Sequence, residues 1–148
     1  MQNWVGFSKP TKLPDGTLLF SAPLSTKAKI NMVDIDDTGP VVRAILGDPE
    51  KYVGQDICMT GEYASLEDVA QIFTRVTGVP AAAGSLTEEQ YRSYTPNLPK
   101  PIQDEIYDMH QWFELYGYYG PNKDWTTGQK VTKLTSFEEW LKKTGWKG

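Results

Sequence analysis

The stretch at residues 31–46, NMVDIDDTGPVVRAIL, decides the fold because it joins a strand pattern to a helix pattern with almost no loop between them. Apolar and polar side chains alternate over 29–35, which is typical of a half-buried strand. After Pro40, an apolar run continues to Leu46 and a glycine follows it, which predicts a short helix. The junction between the two patterns carries three carboxylates, those of Asp34, Asp36 and Asp37.

The three carboxylates have different explanations. Asp37 stands where an N-cap residue is expected, so its side chain should accept hydrogen bonds from the first amides of the helix. Asp34 and Asp36 are open to two readings, ligands of a hard cation or acid/base groups in a ligand cleft. A calcium loop also needs a glycine at its sixth place and a glutamate at its twelfth, and both are missing here. The sequence therefore predicts no metal site, and Asp34 and Asp36 stay candidate catalytic residues.

The rest of the chain alternates strand and helix patterns. Strands are predicted at 17–22, 29–35 and 54–62, and a weak one at 79–85. Box-like helix starts occur at Ser65, Thr87 and Ser136, and the longest helix pattern covers 101–120. These elements predict an α/β or α+β fold, with a small sheet of three to four short strands and about five helices. Residues 1–148 make one domain, and 1–16 read as a loop-like segment.

Composition narrows the class of protein. The 148 residues carry a net charge of −4, so a nucleic-acid partner is not expected. The single cysteine, Cys58, allows no internal disulfide, which fits a reducing compartment. No signal peptide and no apolar run of about 18 residues is present, so we expect a cytoplasmic protein without a membrane partner.

The longest helix pattern carries the most chemistry. His110, the only histidine, shares a face with Tyr107, Glu114 and Tyr118. A histidine one turn from a carboxylate can act as a general acid or base, and aromatic neighbours suit a flat organic ligand. The alternative is that His110 is a half-exposed histidine in an ordinary pair with Glu114, four residues later on the helix. We take His110 and Glu114 as candidate catalytic residues.

An ordered series of short motifs carries a family resemblance. These are Asp-x-Gly at 37–39, Asp-Pro-Glu-Lys at 48–51, Gly-Glu-Tyr at 61–63, Tyr-Gly-Tyr-Tyr-Gly at 116–120 and Phe-Glu-Glu-Trp-Leu at 137–141. From residue 1 to about 143, the chain resembles the C-terminal half of the NmrA-like family, atypical short-chain dehydrogenase/reductase proteins. In that family a Rossmann nucleotide-binding domain precedes this region.

The resemblance implies a ligand site and raises a question about the cofactor. Family members bind NAD(P) through a loop of the type Gly-x-x-Gly-x-x-Gly, and no glycines have that spacing here. We therefore expect no cofactor site of the chain's own. The family's small molecule enters a cleft between the two halves. By that resemblance the candidate wall residues are Tyr107, Trp112, Tyr116, Tyr118 and Tyr119.

Partners follow from the same resemblance. In relatives this region packs against the Rossmann sheet, so the strands near 17–20 and 29–35 should have unpaired edges and apolar faces here. Such surfaces are normally covered by another chain. We expect a homodimer or docking to another protein chain, in addition to a small-molecule ligand.

Three functions remain. The first is an enzyme without a nucleotide, promoting a cyclisation, isomerisation or elimination on a small aromatic or polyketide-like compound by acid/base chemistry. The second is a regulatory module that docks on another protein or on a full-length relative. The third is part of an NAD(P)-dependent reductase whose other half comes from a second chain. A buried aromatic pocket would favour the first, and a flat apolar interface the second.

Overall fold

The computed structural model describes all residues 1–148 and has the α/β organisation that the sequence predicts. It contains six helices: α1 Thr38–Gly47, α2 Pro49–Tyr52, α3 Leu66–Thr77, α4 Glu88–Tyr94, α5 Lys100–Tyr116 and α6 Phe137–Thr144. It contains five strands: β1 Thr11–Lys12, β2 Leu18–Ala22, β3 Lys29–Met32, β4 Glu62–Ser65 and β5 Ala81–Ser85. None of the helices combines the length and the apolar character that crossing a bilayer requires.

The strands form two small sheets rather than one. In the first, β2 lies between β1 and β5, antiparallel to β1 and parallel to β5. The parallel register pairs Leu18 with Ala81 and Ala22 with Ser85, so β2 and β5 end side by side. In the second sheet, β3 and β4 form an antiparallel pair. Parallel strands need a crossover between them, and α3 supplies the last part of the crossover from β2 to β5.

The core lies where α3 and α6 pack near the three-stranded sheet. Phe20 of β2, Phe73 of α3 and Phe137 of α6 are completely buried. The rings of Phe20 and Phe73 meet edge to face, with centroids 5.3 Å apart. The periodicity of α6 predicted its inward residues correctly, since Trp140 and Leu141 are also buried.

Local signals placed the helix starts correctly. Complete capping boxes open α3 at Ser65, α4 at Thr87 and α6 at Ser136, each with reciprocal side-chain and backbone hydrogen bonds. Helix α3 ends at Gly78, whose φ of 73° is in the left-handed region that glycine adopts without strain.

The strand predicted over 54–62 is wrong. Only Glu62 belongs to a strand, β4, and the segment before it pairs with a later loop. The Cys58 carbonyl accepts a hydrogen bond from the Gly128 amide at 3.0 Å, and the Cys58 amide donates to Thr127 Oγ1 at 2.8 Å. The alternating apolar residues are thus covered by a loop that follows about 70 residues later, instead of by a neighbouring strand.

The N-terminal segment is more ordered than a loop. Residues Gln2–Val5 form a 3-10 turn, and β1 pairs with β2 between the prolines at 10 and 14. Trp4 is buried with its ring centroid 5.2 Å from that of Phe20. Burial of this aromatic ring holds the segment on the core, a contact that the proline-broken pattern does not reveal.

The capping role predicted for Asp37 is also wrong. Asp37 precedes α1, but its side chain makes no hydrogen bond to the helix. Its two carboxylate oxygens accept hydrogen bonds from the amide and the hydroxyl of Thr135, at 2.7 and 2.8 Å. Because Thr135 lies just before α6, Asp37 joins the start of α1 to the start of the last helix.

Asp34 makes the second connection to α6. Strand β3 ends at Met32, earlier than predicted, and Asp34 caps a 3-10 turn at Ile35–Asp37 by accepting from the Asp36 amide. The Asp34 carboxylate is fully buried, and Lys143 Nζ lies 3.0 Å from it. Lys143 also pairs with Asp36 at 2.6 Å. Burial acts to raise the pKa of Asp34, but hydrogen bonds from Gln2, Lys143 and the Asp36 amide outweigh it and lower that pKa.

We predict that Asp34→Asn lowers the free energy of unfolding by about 2–3 kcal/mol near pH 7, because the buried Asp34 side chain loses the charge that its hydrogen bonds from Lys143 and Gln2 satisfy. The folded-state pKa of Asp34 lies below the ordinary 3.8, so its charge stabilises the fold fully above that pH. This stability is lost as the pH falls through the lower folded-state value. Urea denaturation should therefore show the difference between variant and wild type narrowing below about pH 3.8.

Asp36→Asn is the matched control, because the Asp36 side chain is 65% exposed and pairs with the same lysine. We expect a loss below about 1 kcal/mol for it. Equal effects of the two variants would contradict the importance of the buried carboxylate.

Gly61 provides a second test of how the C-terminal segment packs. A Cβ on Gly61 would overlap the backbone carbonyl of Thr135, so no side-chain movement can relieve the contact. We predict that Gly61→Ala costs about 1–3 kcal/mol of unfolding free energy by calorimetry or urea denaturation. Gly39→Ala is the control, since Gly39 has open space around it and lies in helix α1. That variant should leave stability unchanged or raise it, and a loss as large as that of Gly61→Ala would refute the steric argument.

Candidate functional site

An open groove of about 400 Å³ lies where β2 and β5 end. The strands are parallel, so the loops that leave their carboxyl ends share one edge of the sheet. Helix α5 forms the facing wall. The groove is lined by nine residues: Pro23, Leu24, Ser25 and Thr26 after β2, Ser85 and Leu86 at the end of β5, and Tyr107, Gln111 and Glu114 of α5.

Two hydrogen bonds hold α5 against the loop after β2. Gln111 Nε2 donates to the Pro23 carbonyl at 2.7 Å, and the Ser25 amide donates to Glu114 Oε2 at 2.9 Å. The two side chains are three residues apart and therefore share a helix face. The backbone of 23–25 is thus fixed by side chains about 90 residues later in the chain.

The other walls are also held by side chains. Thr26 Oγ1 donates to Glu67 Oε1 at 2.6 Å, which ties the loop to the first turn of α3. Tyr107 lies beside Tyr91 of α4, with ring centroids 6.1 Å apart. Tyr91 is buried and its hydroxyl has no hydrogen-bond partner. The groove is therefore an open surface whose walls belong to α5 and to the ends of β2 and β5, and contacts from α3 and α4 support those walls.

The chemistry of the lining is polar and acidic. Hydroxyl groups come from Ser25, Thr26, Ser85 and Tyr107, and Glu114 supplies the one carboxylate. No Lys, Arg or His lines the groove, so the pyrophosphate of a dinucleotide would meet a carboxylate instead of a cation. The lining does not fit NAD(P), whereas a neutral or cationic organic molecule with hydrogen-bonding groups suits it.

His110 lies outside the groove lining and does not pair with Glu114. Its Nδ1 is 2.7 Å from the Ile106 carbonyl of the same helix, so this nitrogen carries the proton and donates it. Burial lowers the pKa of His110, and the Ile106 bond opposes the shift only in part. The ring is therefore neutral near pH 7. The acid/base pair expected from the helix spacing is not formed, because Glu114 holds the Ser25 amide.

Of the five aromatic residues predicted to wall a pocket, only Tyr107 lines the groove. Trp112, Tyr116 and Tyr118 are about half exposed. Trp112 and Tyr116 pack against each other with centroids 4.4 Å apart. Tyr119 is half-buried and its hydroxyl donates to the Met59 carbonyl at 3.0 Å, and burial raises the pKa of its hydroxyl. These side chains form two separate pairs, Trp112 with Tyr116 and Tyr118 with Tyr119, and none of the four lines the groove.

Asp34 and Asp36 do not line the groove either, since both pair with Lys143. No group of three or more His, Cys, Asp or Glu side chains is arranged to hold a metal ion. The residues that the sequence analysis missed are Ser25, Thr26, Ser85 and Gln111. A usable signal was present for the first three, because Ser85 ends the strand pattern at 79–85 and Ser25 and Thr26 follow the pattern at 17–22 within four residues, and ligands bind at the carboxyl ends of strands in α/β sheets.

Comparison with known proteins identifies the family. The model of the NmrA-like family matches residues 1–141. An NmrA-like family domain-containing protein of Dictyostelium discoideum is 26% identical over 149 residues, which are 99% of this chain and 47% of that protein. The chain thus spans about half the length of the curated relative it matches.

Solved structures of the same type share the fold. NmrA, a negative transcriptional regulator, is 19% identical with a TM-score of 0.69, over 88% of this chain and 43% of that one. The triphenylmethane reductase of Citrobacter sp. in complex with NADP(H) is 15% identical with a TM-score of 0.64, over 84% of this chain and 43% of that one. An NADPH-dependent quinone oxidoreductase of Escherichia coli is 15% identical with a TM-score of 0.64, over 98% of this chain and 52% of that one. With a family match over nearly its whole length, the chain belongs to the NmrA-like family.

Proposed function

We propose that the chain is the small-molecule-binding half of an NmrA-like protein, and that its groove takes a neutral or cationic aromatic compound. A nucleotide, where one takes part, is held by a separate nucleotide-binding domain. The observation that carries this proposal is the position of the groove at the carboxyl ends of two parallel strands, with a lining that contains Glu114 and no cation. In open α/β sheets this edge is where ligands bind.

The lining indicates how a ligand would be held. Tyr107 offers a half-buried aromatic face, and the hydroxyls of Ser25 and Ser85 can donate or accept hydrogen bonds. Glu114 is already oriented by the Ser25 amide, so its carboxylate presents a fixed negative charge to the groove. An open groove with these groups favours a flat molecule that carries a positive charge or a hydrogen-bond donor.

A non-redox step in this groove would rely on groups other than His110. Glu114 and Tyr107 are the only titratable side chains in the lining, so proton transfer to a bound ligand falls to them. The His110 ring is neutral, bonded to its own helix and outside the lining. Binding is therefore the function that the geometry favours most, and acid/base catalysis is the finer proposal that depends on Glu114.

The structural neighbours are consistent with this class of ligand. One of them is a triphenylmethane reductase and another a quinone oxidoreductase, so both are named after aromatic or quinonoid compounds. The quinone oxidoreductase is described as NADPH-dependent, and the triphenylmethane reductase structure is a complex with NADP(H). The share of those proteins that this chain covers, about half, agrees with a module that carries the small-molecule wall of the site.

We predict that a cationic triphenylmethane dye binds the chain more tightly than a sulfonated, anionic dye of the same scaffold, and that NADPH binds least. Isothermal titration calorimetry measures all three. Glu114→Gln should weaken binding of the cationic dye by about three- to tenfold, because the ligand loses a charge partner while the amide can still hold Ser25. Binding of a neutral quinone should change little in that variant.

The matched control is Glu105→Gln, which makes the same change on the exposed face of the same helix, outside the groove. Equal losses from the two variants would mean that the dye is attracted only by the acidic surface in general. An anionic dye that binds as tightly as the cationic one, or NADPH that binds to the chain alone, would overturn the proposed ligand class.

A second function is docking on a nucleotide-binding NmrA-like protein, and a specific surface favours it. Helix α5 has no fully buried residue, and its outer face carries an exposed apolar stripe. This stripe consists of Ile102, Met109, Trp112, Leu115 and Tyr116. Exposed apolar patches of this kind mark interaction sites. Four of these residues, Ile102, Met109, Trp112 and Tyr116, lie on the face of α5 opposite the groove residues, and Leu115 lies between the two faces.

We predict that Leu115→Glu weakens a complex between this chain and a full-length NmrA-like relative, measured by sedimentation velocity of the mixture. A charge placed in a buried apolar contact should reduce the affinity at least tenfold. Leu46→Glu in α1 is the control, because Leu46 and Leu115 are exposed to nearly the same extent, 73% and 71%. The absence of any complex, or equal effects from the two variants, would refute docking through this stripe.

A further inference from the structure

The outer edge of β5 is unpaired. The hydrogen bonds between β5 and β2 show which amide and carbonyl groups of β5 point toward that edge. The Pro80 carbonyl accepts from the Leu18 amide and the Leu86 amide donates to the Ala22 carbonyl, both toward β2. Backbone groups alternate in direction along a strand, so the even-numbered residues of β5 face β2 and the odd-numbered ones face outward. No other strand of the structure lies on that outer side.

One of the outward groups is already used and the others are free. The Ala81 amide donates to Thr74 Oγ1 of α3 at 2.9 Å, which confirms the outward direction. The amides of Ala83 and Ser85 make no hydrogen bond, and no bond reaches the Ala81 or Ala83 carbonyl from outside the sheet. A strand edge of small side chains with free amides and carbonyls is a template for another strand.

A shallow groove runs along this edge, with Glu67 at one end and Arg75 at the other, where Arg75 also pairs with Glu138 of α6 at 2.6 Å. Side chains of α3, from Glu67 to Arg75, line it together with Ala81, Ala82 and Ala83. Arg75 lies near the start of β5, because its neighbour Thr74 holds the Ala81 amide. Glu67 lies near the end of β5, because it holds Thr26, which lines the same ligand groove as Ser85.

We propose that this edge binds a second copy of the chain through antiparallel pairing of β5 with β5 about a two-fold axis near Ala83. In that register Ala83 faces Ala83 of the second copy, and Ser85 faces Ala81. The amides of Ala83 and Ser85 then donate to the carbonyls of Ala83 and Ala81 in the other copy, and the reciprocal bonds form by symmetry. The three-stranded sheets of the two copies join into one continuous sheet.

The same axis makes the helices complementary. The hydrogen bond from the Ala81 amide places Thr74 beside Ala81 at the start of β5. Gln71 is three residues earlier in α3, about 4.5 Å along the helix axis toward the end of β5, which places Gln71 beside the middle of that strand. A two-fold axis that passes Ala83 therefore also passes Gln71. It sets Glu67 of each copy against Arg75 of the other, at both ends of the groove. Backbone register and charge agree on one axis, which is the reason for choosing a second copy over an unrelated strand.

Sedimentation velocity of the wild-type chain and of Ala83→Pro tests the pairing. We expect wild type to sediment at twice the 16.7 kDa chain mass at micromolar concentration and Ala83→Pro to sediment as a monomer. Proline removes an amide that the isolated fold does not use, so far-ultraviolet circular dichroism should be unchanged. Ala83→Ser is the control, since it alters the side chain and keeps the amide, and it should remain dimeric. A monomeric wild type, or a dimeric Ala83→Pro, overturns the proposal.

Charge reversal decides the matter if Ala83→Pro does not fold. Arg75→Glu should weaken the dimer about tenfold, because two glutamates then face each other at both ends of the interface. The change also removes the pair with Glu138 within the chain, a loss that the double variant shares. The double variant Glu67→Arg, Arg75→Glu restores opposite charges in the dimer and should restore the association. A dimer that is insensitive to Arg75→Glu rules out this axis. Arg75→Glu changes no contact of the ligand groove, whereas Glu67→Arg removes the partner of Thr26 in the groove wall, so the single variant is the one that separates dimerisation from dye binding.

Discussion

Burial of Asp34 and Asp37 is the constraint on which the rest of this fold depends. A buried carboxylate is costly unless charged or hydrogen-bonding partners surround it. Here the partners are Lys143 and Thr135, which come from the last helix and the residues before it. The turn between β3 and α1 gains these partners only when α6 is in place, and α6 brings Phe137 and Trp140 into the core. The acidic junction and the aromatic core therefore form together.

The ligand groove depends indirectly on the same packing of α6. Its floor is the pair of parallel strands β2 and β5, which α3 and α6 cover. Its facing wall, α5, has no fully buried residue and is attached through Gln111 and Glu114 to the loop after β2. The site thus combines a rigid sheet edge with a helix held by a few polar contacts. A helix held in this way can shift more easily than the sheet when a ligand or another protein binds.

Whether a feature could be predicted from the sequence depends on how far apart along the chain its interacting residues are. The helix starts at Ser65, Thr87 and Ser136 were predictable because a capping box is complete within four residues. The false strand at 54–62 was not avoidable in this way, because its cover is a loop about 70 residues further on. Asp37 was misjudged for the same reason, since local chemistry favours a cap and Thr135 lies 98 residues away. Of the candidate site residues, Tyr107 and Glu114 lie in the groove lining, but the pairing of Glu114 with Ser25 depends on tertiary structure.

The distance along the chain between Asp34 and Lys143 has a consequence for synthesis. The two residues are 109 positions apart, and a ribosome adds about 5–20 residues per second. Asp34 and Asp37 therefore remain hydrated for about 5–20 s before their partners exist. During that interval the nascent chain can form α3 and the strands near it, but the inner faces of Phe20 and Phe73 lack the cover of α6. We expect α6 to complete this core, so the seconds before α6 is made are when the nascent segment exposes most of its apolar core surface.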